Sequence, residues 1–219
     1  MLSSEAMKER SGSQCEAKRA CMVALVLLFA SMITGCGGKP FNVRERPFKV
    51  KEGADPAPAV FDAQAQYGLV TIQAEAVRDE DYLYDTFDAN LILAGVLPIR
   101  VMIANAGQEP LDLKSARFEA RAQAGRSFKP ADAKRAFKRL ISYYGISTYS
   151  KSGYKESQED FLSHALDTNT PLAPGQSRQG LLFFLVPGEV AQSTGITLIA
   201  NGLGPKQSGK DSSVELKLK

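Results

Sequence analysis

One stretch of the sequence decides the fold, Gly180-Leu181-Leu182-Phe183-Phe184-Leu185-Val186. Proline-glycine pairs at 174–175 and 187–188 flank it and limit it to the length of a strand. Its apolar residues are continuous rather than alternating, which is typical of a strand whose two faces are both covered. The stretch therefore predicts a central strand in a β-rich core.

Other segments show the alternation of half-buried strands, in which every second residue is apolar. The segment that contains Ile99, Val101 and Ile103 is expected to begin at Pro98 and to end in a turn at 105–107. Short strands separated by glycine and proline turns favour an antiparallel β-sandwich. The apolar positions are Val70, Ile72, Ala74 and Ala76; Ile99, Val101 and Ile103; Phe118, Ala120 and Ala122; Ile196, Leu198 and Ala200; Val214, Leu216 and Leu218.

Helical passages interrupt the strand series. After Pro130, apolar residues recur at helical spacing until Gly145, which stands where a left-handed cap is expected. A shorter helix is predicted over 86–94, with Thr86 as its N-cap and Gly95 at its end. Residues 147–160 have no apolar period, so they are predicted to be a mobile excursion. These features give the sandwich a helical insertion at about 130–166.

Several strand and turn patterns resemble one known group of proteins. They are Val96-Leu97-Pro98-Ile99 leading to Asn105-Ala106-Gly107, then Phe118, and Leu172-Ala173-Pro174-Gly175 leading to the 180–186 strand. This arrangement, over about residues 67–200, resembles small secreted bacterial Ig-like domains of unknown function, which are often lipoproteins. The resemblance implies a mainly β, Ig-like antiparallel sandwich, and it transfers no active site.

The N-terminal segment has the pattern of an export signal. The basic pair Lys18 and Arg19 precedes an apolar run at 21–29, and small residues follow. The apolar segment is about 15 residues long, whereas a transmembrane helix needs about 20. A signal peptide over residues 1–35 is therefore predicted, and the true start is either Met1 or Met7.

Ile33-Thr34-Gly35-Cys36 resembles the bacterial lipobox. The resemblance implies that Cys36 becomes the acylated first residue of the mature chain, carrying a fatty acid such as palmitate. Residues 36–59 contain four prolines and are predicted to be a lipid-anchored tether, with the Ig-like domain at 60–219. Gly37 is not the aspartate that retains lipoproteins in the inner membrane, so the resemblance implies an outer-membrane protein that faces the periplasm.

Composition restricts the possible functions of the mature chain. Of 27 basic and 24 acidic residues, four and three lie in the first 35 residues, which leaves 23 and 21. This balance does not favour a nucleic-acid partner. Cys36 would be the sole mature cysteine and His164 is the sole histidine, so neither a disulfide nor a typical zinc site is expected. We predict no cofactor and no metal.

Two groups of residues are candidates for a catalytic role. Ser163 and His164 are neighbours in sequence, but neighbours on a helix point apart, so an exposed histidine without a catalytic role is expected. The acidic stretch 79–88 lacks the spacing of a calcium-binding loop and is predicted to be a solvated loop. Its acidic members are Asp79, Glu80, Asp81, Asp85 and Asp88.

Two groups of residues are candidates for a binding surface. The predicted helix after Pro130 has a basic face, which either docks on an anionic partner or is the wet side of an amphipathic helix. Four tyrosines follow its apolar stripe and suit either a partner surface or packing over the sandwich. The basic residues are Lys129, Lys134, Arg135, Lys138 and Arg139, and the tyrosines are Tyr143, Tyr144, Tyr149 and Tyr154.

These observations predict a lipid-anchored envelope protein that acts as a non-catalytic binding or scaffolding module. Its partners are membrane lipid, through acylated Cys36, and an envelope protein that docks on Lys134, Arg135, Lys138 and Arg139. Two alternatives remain open. One is an envelope hydrolase that uses the acidic stretch, and the other is a structural subunit of an export or assembly complex.

Overall fold

The computed structural model describes residues 60–146, 150–203 and 213–219. In these ranges the chain forms nine strands and four helices. The strands are β1 (Ala63–Tyr67), β2 (Val70–Ala76), β3 (Val96–Asn105), β4 (Arg117–Arg121), β5 (Ser127–Phe128), β6 (Pro130–Ala131), β7 (Ser177–Leu185), β8 (Thr197–Asn201) and β9 (Ser213–Lys217). The helices are α1 (Glu80–Phe87), α2 (Ala133–Tyr143), α3 (Lys151–Ser163) and α4 (Gly188–Gln192).

The strands form two antiparallel sheets. The larger has the order β1-β2-β3-β7-β6 and the smaller β5-β4-β8-β9. The order β2-β3-β7-β6 matches the A-B-E-D sheet of an immunoglobulin fold, and β5-β4-β8-β9 matches the opposite sheet with one additional strand. β1 adds a hairpin strand at the outer edge of β2. The predicted Ig-like sandwich is therefore confirmed.

β7 has the central position that its apolar run predicts. It lies between β3 and β6, and its residues from Leu181 to Phe184 are buried on both faces. One face meets the core between the sheets and the other lies under the helices. The five alternating segments also form the predicted strands, as β2, β3, β4, β8 and β9. Pro98, expected at the start of a strand, lies inside β3 opposite Phe183.

The long predicted helix is confirmed as α2, and Gly145 has the expected positive φ of 62°. The predicted helix over 86–94 is wrong. The helix in this region is α1, which begins after Asp79 and ends at Asp88, a residue in the left-handed conformation. The Asp79 side chain accepts from the Tyr82 amide at 2.7 Å. Because Asp79 caps the first turn, the helix begins at Glu80, six residues earlier than predicted.

Residues 147–160 are not an excursion over their described part, which contributes most of α3. The buried residues of this helix are Gly153, Ser157 and Phe161, spaced by four. Two of them are small, so the helix lies close to its neighbours although it has no apolar stripe. The Ser157 hydroxyl donates to the Gly153 carbonyl at 2.8 Å and so needs no other partner.

A cluster of aromatic rings joins the helices to the outer face of the larger sheet. Phe161 of α3 stacks on Phe183 of β7 with ring centroids 4.7 Å apart. It also contacts Phe87 of α1 and Phe137 of α2 at 5.4 and 5.5 Å. Phe161 therefore connects three helices and one strand. Among the described residues, the buried apolar side chains lie between Val70 and Leu218, and they form one hydrophobic core.

Candidate functional site

The predicted basic face lies on α2. Asp132 caps this helix by accepting from the Lys134 amide at 2.8 Å. Ala136, Phe137 and Leu140 are buried on the side that faces the sheet. The opposite side carries exposed Lys134, Arg135, Lys138 and Arg139, and Lys129 is exposed between β5 and β6. The helix therefore presents four basic side chains to solvent along about two turns.

Arg139 has a structural contact that the other basic residues of α2 lack in the described part of the chain. Its Nε donates to the Ala94 carbonyl at 2.9 Å and ties the 88–95 loop to α2. The loop is also held by Asn90, which is buried and accepts from the Ile92 amide at 3.0 Å. Arg139 thus fixes the position of the neighbouring loop as well as contributing charge.

A patch of exposed tyrosine and leucine side chains lies where α1, this loop and the end of α2 meet. Tyr84, Leu93, Tyr143 and Tyr144 are 46, 45, 49 and 37% exposed. The rings of Tyr143 and Tyr144 contact edge to face at 5.1 Å. We call these four residues the tyrosine patch. Large apolar side chains that share one exposed surface are a common mark of a binding site.

Tyr144 is the centre of this patch. Its hydroxyl accepts from the Asn90 amide at 3.0 Å and donates to the Asn90 carbonyl at 3.2 Å. Burial of the hydroxyl raises the pKa of Tyr144, the bond to Asn90 opposes this, and a hydrogen bond to Tyr84 raises it further. Tyr144 therefore connects α1 to α2, and the patch is a defined structure rather than a set of loose side chains.

The sequence identified only part of the tyrosine patch. Tyr143 and Tyr144 were expected as surface candidates, whereas Tyr84 and Leu93 were missed because they are distant in sequence. Tyr154 is not in the patch, since it packs on Phe137 with ring centroids 5.4 Å apart. Tyr149 lies outside the described residues.

The acidic stretch 79–88 is not a loop, because most of it forms α1. Asp81, Asp85 and Asp88 follow one another at intervals of four and three, and all are exposed. Asp79 and Asp88 are engaged as the caps of the helix. Among the described residues, no three histidine, cysteine or acidic side chains are arranged to hold a metal ion.

A cleft of about 400 Å³ lies at the start of α1, where β1, β2 and the chain end at Lys219 approach one another. Three carboxylates, Asp62, Glu75 and Asp79, line it, and Asp79 accepts from the Tyr82 amide as the cap of α1. Glu75 forms an ion pair with Arg100. Asp62 accepts from the main-chain amides of Ala76 and Lys219 at 3.4 and 3.3 Å. Each carboxylate in the cleft therefore has a structural partner.

Arg78 is also held by structural contacts in the cleft. Its guanidinium donates to the carbonyls of Ala191, Ser193 and Lys219 at 3.3, 2.7 and 2.5 Å. Burial lowers the pKa of Arg78, and the charge of Asp62 opposes that change. Burial raises the pKa of Glu75 in spite of Arg100, which lowers it. The cleft thus joins β1, α4 and the chain end rather than presenting free charges.

His164 is half-buried, so the expectation of an exposed histidine is wrong. Its ring packs edge-on against Phe87 at 5.1 Å, and its Nε2 has no hydrogen-bond partner among the described residues. The Ser163 hydroxyl donates to the Asp160 carbonyl at 2.6 Å. Burial lowers the pKa of His164, and Asp160 partly opposes this. The structure therefore gives His164 a packing role and does not pair it with Ser163.

The lipobox, Cys36 and the tether at 36–59 lie outside the described residues. In the part of the chain that the structure describes, no helix is both long and apolar enough to cross a membrane. The signal peptide and the acylation of Cys36 therefore stay predictions.

The described residues thus form an Ig-like β-sandwich with a helical layer that exposes tyrosines and basic side chains. No family model and no curated protein matches the chain. Among solved structures, the yjhA protein from Bacillus subtilis is 16% identical, with a TM-score of 0.37, over 71% of this chain and 96% of that protein.

Two further solved structures show a similar degree of likeness. A functionally unknown protein from Listeria monocytogenes is 12% identical, with a TM-score of 0.37, over 70% of this chain and 79% of that one. An uncharacterized beta-sandwich protein from Clostridium difficile is 13% identical, with a TM-score of 0.34, over 71% and 91%. Similarity at this level carries no functional argument.

Proposed function

We propose that this protein is a lipid-anchored protein of the cell envelope that acts as a non-catalytic binding or scaffolding module. Its binding surface is the exposed side of the helical layer. The observation that carries this proposal is the tyrosine patch beside the exposed basic side chains of α2. Tyrosine and arginine are enriched in protein interfaces because they combine a large contact area with hydrogen-bonding groups.

The anchoring part of the proposal rests on the sequence. A basic pair, a short apolar run and Ile33-Thr34-Gly35-Cys36 form a leader that resembles those of bacterial lipoproteins. Acylated Cys36 would hold the chain in the membrane, and residues 37–59 would connect it to the sandwich. Gly37 supports the outer membrane, with the domain facing the periplasm.

The geometry favours a binding module over the hydrolase alternative. The acidic stretch forms a helix, and of its members only Asp79 lines the cleft, where it caps α1. The other two carboxylates of the cleft, Asp62 and Glu75, are each engaged in contacts that hold the fold. General acid or base catalysis needs a carboxylate that is available to a substrate.

Crosslinking and pull-down from membranes test the binding role. The test variant is Lys134→Ala/Arg135→Ala/Lys138→Ala, which retains Arg139 because Arg139 fixes the loop at Ala94. The matched control replaces three exposed lysines elsewhere, Lys114, Lys151 and Lys217, by alanine. Loss of the crosslinked partner in the test variant alone supports the proposal, and an unchanged partner in both variants overturns it.

The same experiment addresses the alternative of a structural subunit. A subunit of an export or assembly complex would co-purify with membrane partners at a fixed ratio, and its contacts would not depend on the α2 face. A fixed ratio that survives the test variant would therefore favour that alternative.

A further inference from the structure

We infer that the tyrosine patch and the charged residues on its two sides form a two-fold interface with a second copy of this chain. The inference deepens the proposed function, since it assigns a partner to the same surface. It commits to self-association because the surface is self-complementary.

Opposite charges flank the patch on the two helices that carry it. Asp81 and Asp85 are exposed on α1 beside Tyr84, and exposed Asp88 follows at the C-cap; together they form an acidic row. Arg135, Lys138 and Arg139 form an exposed basic row on α2, and Arg135 and Arg139 precede Tyr143 at intervals of four on the same side of the helix. The patch therefore has an acidic flank on α1 and a basic flank on α2.

The patch connects the two flanks through direct contacts. Tyr144 touches Tyr143 on α2 and is hydrogen-bonded to Tyr84 on α1. Arg139 is bonded to the carbonyl of Ala94, the residue next to Leu93. The positions of the acidic row, the apolar centre and the basic row are thus fixed relative to one another.

A two-fold axis through the centre of such a surface brings unlike charges together. In an isologous interface, residue i of one copy contacts residue j of the other and the reverse contact also forms. With Tyr144 near the axis, the acidic row of each copy would lie opposite the basic row of its partner. The exposed tyrosines would be buried at the centre, where aromatic side chains contribute most.

The mixed charge of the surface argues against a lipid bilayer as its partner. An anionic membrane attracts the basic row by about 1 kcal/mol per residue, but it repels the acidic row on the other side of the same patch. A second copy of the chain satisfies both rows at once. Binding to lipid is therefore treated as a competing outcome of the test.

The experiment measures self-association of the purified chain from Gly37 to Lys219, which contains the complete described core. Sedimentation equilibrium is recorded from micromolar to millimolar protein at low and high salt. The acidic variant is Asp81→Lys/Asp85→Lys and the basic variant is Arg135→Glu/Lys138→Glu. Asp88 and Arg139 are retained because they end α1 and hold the loop. Circular dichroism and thermal unfolding establish that each variant is folded.

The two variants are measured separately and then mixed. Each alone places like charges opposite each other, so its dimer dissociation constant should rise by at least about tenfold. In an equimolar mixture, the lysines introduced in the acidic variant would lie opposite the glutamates introduced in the basic variant, so heterodimers should form. The control variant Lys114→Glu/Lys217→Glu, on another part of the surface, should dimerise as the wild type does.

Three results would overturn the inference. They are a wild-type chain that is monomeric at all concentrations, a dimer that neither variant weakens, and a mixture that stays monomeric. Binding of a monomeric wild type to phosphatidylglycerol vesicles would assign the surface to lipid instead. A monomer that still captures an envelope partner would refute self-association alone and leave the proposed binding module intact.

Discussion

Arg100 of β3 and Glu75 of β2 lie directly opposite each other and form an ion pair on the face of the larger sheet that carries the helices. The ring of Tyr82 covers the guanidinium at 4.7 Å. Only 9 and 15% of the two side chains are exposed. This pair explains how a sheet face covered by helices contains two charged residues without leaving either one unpaired.

Removing one member of this pair should destabilise the protein strongly. Arg100→Met leaves the Glu75 carboxylate buried without its partner, and we expect the free energy of unfolding in urea to fall by about 2 to 4 kcal/mol. The double variant Arg100→Met/Glu75→Leu removes both charges and should recover most of that loss. Equal losses in the single and double variants would show that packing, rather than charge, sets the stability.

Gly180 of β7 should not tolerate a side chain. A Cβ at this position would lie 2.4 Å from Cα and 2.6 Å from N of Leu166, and these are main-chain atoms that cannot rotate away. We expect Gly180→Ala to lower the free energy of unfolding by about 2 to 3 kcal/mol or to prevent folding. Gly188→Ala is the matched control, since its Cβ would meet no atom within 4 Å. A normal unfolding midpoint for Gly180→Ala would contradict this packing.

Phe161 should be the most important residue of the helical layer. Phe161→Ala removes its contacts with Phe183, Phe137 and Phe87 together, so we expect a loss of about 3 to 5 kcal/mol in the free energy of unfolding. Lys151→Ala, which changes an exposed residue at the start of α3, should change it by less than about 0.5 kcal/mol. Similar losses from both substitutions would argue against the position of α3.

Stability should fall on mild acidification because of His164. Its pKa is lowered in the folded state by burial, so between the folded pKa and the ordinary value of 6.5 the unfolded chain binds a proton that the folded chain does not. The free energy of unfolding should therefore decrease as the pH falls through that window. His164→Phe should flatten this dependence in thermal unfolding between about pH 7.5 and 5. An unchanged slope would assign the effect to other groups.

Acylation should depend on Cys36 alone. Cys36→Ser should abolish the fatty acyl mass and release the chain from membranes, whereas Cys21→Ser, within the predicted leader, should leave acylation unchanged. Mass spectrometry of the purified protein measures both. A native chain that retains its first 35 residues and carries no acyl group would refute the anchor.

The sheets could be predicted because the apolar pattern of each strand matches the faces of that strand that are buried. In β2 and β3, alternating apolar residues face the core, and in β7 a continuous apolar run matches a strand covered on both faces. β1 was missed because its apolar positions are mainly Ala63 and Ala65, which bury little area.

The helices were harder to predict, because small residues and caps define two of them. α3 packs through Gly153 and Ser157, which no apolar periodicity reveals. α1 was placed too late because the apolar residues of 89–92 suggested a helix, yet they are buried in the loop that follows Asp88.

The candidate surface was predicted in part for a similar reason. The basic face follows from helical spacing alone, so Lys134, Arg135 and Lys138 were found. Tyr84 is hydrogen-bonded to Tyr144, and Leu93 is bonded to Asn90, which contacts Tyr144 in turn. No local sequence pattern identifies such neighbours.

The edge strands of the two sheets have a consequence for solubility. At one side, Lys129 carries the chain from β5 in one sheet to β6 in the other, and each of these edge strands is two residues long. At the opposite side, the main chain of Lys219, just beyond β9, donates to Asp62 at the start of β1. On the side of β5 and β6, the sandwich therefore offers only two-residue strand edges onto which another chain could add, so strand addition there should be disfavoured even when many copies are crowded together.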